Sequence, residues 1–65
     1  MNWDDVCKSS LRLGFQSLGQ KVEGFGFCLE NVDGQTEITC ARHQTFRTRL
    51  SYSETVQWLN RNEWK

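Results

Sequence analysis

The segment CARHQTFRTRL, residues 40–50, gathers the side chains of this sequence best suited to chemistry. Cys40 and His43 stand at Cys-x-x-His spacing, which is half of a metal knuckle and also a thiol beside an imidazole. With Cys7 and Cys28 they would make a Cys3His set of the kind zinc accepts. Arg42, Arg47 and Arg49 follow within the same stretch, and guanidinium groups at a spacing of two can meet phosphate oxygens or base edges. Which of these chemistries can assemble depends on the elements that carry the residues.

Asn2 suits a helix N-cap, and Asp4 and Asp5 place negative charge in a first turn, where the helix dipole favours it. Trp3, Cys7, Leu11, Phe15 and Leu18 recur at helical spacing, flanked by Val6 and Leu13, and predict a helix over 3–18 that ends at Gly19. Gly14 inside it would cost about 1 kcal/mol relative to alanine. Asp33-Gly34 is a preferred dipeptide for a two-residue hairpin turn. Folding the chain there sets Leu29 opposite Ile38, Phe27 opposite Cys40 and Gly26 opposite Ala41. Leu29, Ile38, Phe27 and Cys40, with Phe25, share one face. Cys28, Glu30, Glu37 and Thr39 fall on the other.

In TFRTRL, Phe46, Thr48 and Leu50 alternate with Arg47 and Arg49, a strand period. A three-residue loop, Arg42-His43-Gln44, returns Phe46 and Leu50 to the apolar face and sets Glu37 opposite Arg49; a loop shifted to His43-Gln44-Thr45 would serve nearly as well. Ser51 and Glu54 then form a capping box for a second helix carrying Tyr52, Val56 and Leu59 on one side. Trp58 lies off that stripe and either wraps onto the first helix or faces solvent; Trp64 sits near the end, where exposure is expected. The predicted fold is α+β, α-β-β-β-α, a three-stranded antiparallel sheet with both helices packed on one face, built as a single domain over 1–65.

That element order resembles the double-stranded-RNA-binding domain. The resemblance implies a phosphate-gripping lysine cluster at the start of the second helix. This helix opens with Ser51-Tyr52-Ser53-Glu54-Thr55 instead, so only the topology is shared.

The same layout disposes of the metal set. Cys40 looks into the core while Cys28 looks out of the other face, so their sulfurs diverge, and neither a metal site nor a cofactor is expected. A core-facing thiol is also no nucleophile. Asp4 and Asp5, adjacent on a helix, point to different sides and make no paired-carboxylate site. With one histidine, no phosphate loop and 65 residues, the chain is not expected to be an enzyme.

A domain this small buries only about 60% of its unfolded surface, so its three Trp, four Phe and one Tyr must nearly all be used. Formal charge is zero, with eight basic and eight acidic residues. Residues 1–40 hold three cations against six anions; residues 41–65 hold five against two. Strong non-specific nucleic-acid binders are usually net basic. No segment approaches the roughly 18 apolar residues of a membrane span. MNWDDVCK lacks the basic start and apolar run of a signal peptide. Three widely spaced cysteines suit a reducing cytoplasm better than a disulfide framework. The expected function is a small cytoplasmic binding protein (an adaptor, small subunit or inhibitor) that docks on a protein partner through Trp58, Arg61 and Trp64. The alternative is a nucleic-acid module using Thr39, Arg42, His43, Arg47 and Arg49 on the open sheet face.

Overall fold

Asn2 caps the first helix as the sequence requires: its side chain accepts from the Asp5 N–H at 3.2 Å, and the Asp5 carboxylate accepts from the Asn2 N–H at 3.1 Å. The structure is a computed structural model that describes residues 1–42 and 45–61. Helix α1 runs Trp3–Arg12, six residues shorter than the predicted 3–18. Gly14 ends it from the C′ position, with φ at +105°. Its N–H bonds the Leu11 carbonyl at 3.1 Å, and the Phe15 N–H bonds the Ser10 carbonyl at 3.0 Å. This pair of bonds is a Schellman cap, and it uses the glycine that helical periodicity would have placed in the helix interior.

Beyond the cap the chain turns to strand, giving β1(Gln16–Leu18) and β2(Lys21–Gly24), then β3(Phe27–Val32), β4(Gln35–Cys40) and β5(Arg47–Ser51), before helix α2(Tyr52–Arg61). The order is therefore α-β-β-β-β-β-α, and the expected three strands are five. They form one antiparallel meander, β1-β2-β3-β4-β5. The resemblance to the double-stranded-RNA-binding domain rested on the three-strand order and falls with it. Three two-residue turns join the first four strands. Gly19-Gln20 has positive φ at the glycine, in the first central position. Phe25-Gly26 and Asp33-Gly34 have positive φ at both central residues, the requirement of a type I′ turn.

The register read from the Asp33-Gly34 hairpin holds. Leu29 faces Ile38, Phe27 faces Cys40, and the Ala41 N–H donates to the Gly26 carbonyl at 2.8 Å. Glu37 faces Arg49 and Thr39 faces Arg47. Val22 joins the same face opposite Leu29. Both helices cover it: Val6 of α1 and Leu59 of α2 are buried in one cluster with Phe15, Val22, Leu29 and Ile38. Leu11, expected on the helix stripe, is exposed, while Val6 and Ser10 are buried. The Ser10 hydroxyl satisfies itself on the Val6 carbonyl at 2.8 Å. Phe25 and Phe46, expected in the core, lie at its rim with 42% and 41% exposure. Phe25 stands in a turn, where strand alternation no longer directs its side chain.

Phe15 packs against Gly24, close enough that a Cβ there would lie 2.7 Å from its ring. At the other end Ser51 caps α2: its hydroxyl accepts from the Glu54 N–H at 3.1 Å and donates to the Glu54 carboxylate at 2.9 Å. The Tyr52 hydroxyl donates to Asn31 at 2.8 Å and ties the start of α2 to β3.

Candidate functional site

No described element lies over the far face of the sheet, and the strand register arranges its side chains in rows. One row reads Lys21, Glu30, Glu37, Arg49; the next reads Glu23, Cys28, Thr39, Arg47. Lys21 meets Glu30 at 3.6 Å. The Arg49 Nε donates to Glu37 at 3.1 Å, and the Arg47 Nε approaches the other oxygen of the same carboxylate at 3.8 Å. Glu37 is thus held between two guanidinium groups, its side chain 14% exposed where those of Arg47 and Arg49 are 71% and 51% exposed. Surface pairs of this kind contribute about 0–1 kcal/mol each. Lys21 was not legible as a member of this row, because β2 was not expected.

Among the residues predicted for nucleic acid, the structure brings Arg47 and Arg49 together around Glu37. Thr39 is half-buried beside them, its hydroxyl donating to the Cys28 carbonyl at 3.5 Å. Arg42 lies apart from that pair, along Gly26 at the β2–β3 turn, where a Cβ would come within 3.8 Å of its Nε. His43 is outside the described residues.

Of the residues predicted for a protein contact, Trp58 is half-buried, edge-to-face against Phe27 with ring centroids 5.3 Å apart. It therefore wraps onto the sheet core, an outcome between the two that the helical pattern allowed. Arg61 is exposed on the last turn of α2. Together with Leu50, Glu54, Gln57 and Trp58 it lines a groove of about 240 Å³ between β5 and α2. Trp64 is outside the described residues. The three-strand order expected from the sequence already put this strand at a sheet edge, where a partner strand could be recruited, and β5 does end the five-stranded sheet: one side of its backbone has no strand beside it among the described residues.

A second cleft, of about 410 Å³, passes Gly14, Gly24 and Gly26 and reaches Glu23 and Cys28. Burial pushes the Cys28 thiol above its ordinary value, and Glu23 and Glu30 add to the rise. Cys7 is raised as well, by burial and then by Asp4. Thiols held protonated are poor nucleophiles. All three cysteines are free, and no group of three potential metal ligands converges among the described residues. No described helix is long and apolar enough to cross a membrane. Compared with family models, curated proteins and solved structures, the chain matches none.

Proposed function

We propose that this chain is a small non-catalytic binding protein that works by docking on a protein partner, at the side of the molecule formed by β5 and α2. The observation that supports this most directly is the groove beside Leu50 and Trp58. There an apolar wall, a carboxylate and a guanidinium stand next to a strand edge that is unpaired among the described residues. A patch that mixes an aromatic anchor with rim charge is suited to protein contact. Three free thiols fit a reducing compartment, and the cytoplasm is the proposed location.

A nucleic-acid module is the second reading, favoured by the exposure of Arg47 and Arg49 on one face. A long polyanion crossing this face would also meet Glu23, Glu30 and Glu37, and the formal net charge of the chain is zero. For this reason protein docking ranks first.

Two experiments separate the readings. The first is a titration of a mixed pool of single- and double-stranded DNA and RNA, followed by anisotropy, at low and at physiological salt. The expected result is no salt-sensitive binding. Micromolar binding that collapses with salt and with Arg47→Glu/Arg49→Glu would overturn the docking reading. The second is co-purification of a partner by wild type and by Arg61→Glu, a change at an exposed position. Loss of the partner in the variant is expected; retention removes the α2 flank from the contact.

A further inference from the structure

We infer that the edge of β5, which has no strand beside it among the described residues, takes up an extended peptide segment of another protein as a sixth strand, and that this segment alternates acidic with apolar residues. The inference rests on the docking reading and names the partner's chemistry.

Strand addition needs an accessible edge, and β5 supplies one of five residues, Arg47–Ser51. Side chains of an added strand would alternate between the two faces of the sheet, so each face states its own preference. On the far face both rows end at the β5 edge in a cation, Arg47 in one and Arg49 in the other. Inside the sheet they share a single carboxylate, Glu37. A sixth strand would set its far-face residues roughly 5 Å from these two, within reach of cross-strand ion pairs. Carboxylates two residues apart are the complement. On the helix face the neighbouring residues are Thr48 and Leu50, and the groove that Leu50 forms with Trp58 has room for an aliphatic side chain. The pattern is therefore acidic at alternate positions and apolar between them.

A second copy of this chain fits the edge poorly. Pairing β5 with its own two-fold mate would gather four guanidinium groups on one face, a like-charge arrangement that is destabilising across strands. The other edge strand, β1, offers Gln16 and Leu18 on its far face and no carboxylate. Charged edge residues commonly prevent self-pairing of sheets. Here they also choose the sign of the strand that is admitted.

The test uses the full chain and a synthetic heptapeptide alternating glutamate with valine, with three comparisons. One is a peptide with lysine in place of glutamate. Another carries N-methyl groups at every second residue, so that one edge cannot donate. The third compares wild type with Arg47→Gln/Arg49→Gln and Arg47→Glu/Arg49→Glu. Binding is read by titration, and its place by amide hydrogen exchange. The glutamate peptide is expected to slow exchange over Arg47–Ser51, to bind about tenfold more weakly to the double glutamine variant, and to lose binding when N-methylated. The lysine peptide is expected to bind the double glutamate variant, which also shows that this variant remains folded. Binding that leaves β5 exchange unchanged, or tolerates N-methylation, overturns strand addition, as does a concentration-dependent dimer of the chain alone that protects β5. Failure of every peptide overturns it too, while the docking reading still stands or falls on partner recovery with Arg61→Glu.

Discussion

Thr36 shows what a single side chain contributes to this small core. It is fully buried on the helix-covered face, between Asn31 and Leu50 in the register, and its hydroxyl has no hydrogen-bond partner among the described residues. An unsatisfied buried hydroxyl costs about 1–3 kcal/mol, and valine has nearly the same shape. Thr36→Val is expected to raise stability by about 1 kcal/mol, seen as a higher urea midpoint with unchanged slope. A lower midpoint would mean that the hydroxyl has a partner in solution. Ser10 and Thr55 are buried too but bond the carbonyls of Val6 and Ser51, so the same replacement there should destabilise. None of this was legible in the sequence, where Thr36 is one more β-branched residue of a strand.

The join between α1 and the first hairpin is where elements depend on one another. Gly14 ends the helix, Phe15 drops its ring onto Gly24, and Phe25 lies edge-on against Phe15 with ring centroids 5.3 Å apart. Phe25 itself takes φ of +54°, a conformation that costs a bulky residue about 1–2 kcal/mol. Gly24→Ala would put a methyl group 2.7 Å from the Phe15 ring and 3.0 Å from its Cα. Backbone is harder to move than a side-chain end, so a loss of about 1–3 kcal/mol is expected, with exchange protection falling first in β1 and β2. A loss spread evenly over all five strands would show that the join is no separate unit. Helical spacing carried the sequence reading through this region because Phe15 and Leu18 continue the Trp3–Leu11 stripe. The fully exposed β1 offered no alternating apolar residues to compete with it.

For the whole molecule, the two helices and the sheet share one small cluster of buried apolar residues. Leu59 reaches it from α2 and is completely buried. Leu59→Ala is expected to cost about 2–5 kcal/mol. The total stability of a chain this size is on the order of 3–10 kcal/mol. The variant should therefore unfold at much lower denaturant, measured by tryptophan fluorescence, with Trp58 on Phe27 as an internal reporter. A shift under about 1 kcal/mol would mean that α2 repacks, and that the groove it forms with β5 is adaptable. The charge asymmetry of the chain also acquires a direction at this scale. Carboxylates of β2, β3 and β4 occupy the middle of the far face, while the cations of β5 stand at its edge.

The Asp33-Gly34 hairpin and its register, the alternation of β5, the N-caps of both helices and the α+β class are all legible along the chain. Each of these is local: a turn dipeptide, a period of two, or a side chain reaching three residues along the chain. The packed fold was needed to show that Gly14 is a cap, that two more strands precede the hairpin, and that Trp58 lies on Phe27. It also brought Arg47 onto the Glu37 carboxylate that Arg49 was expected to face. These outcomes depend on which faces compete for one small core and on which strand is left without a neighbour, and residues far apart in the sequence settle both.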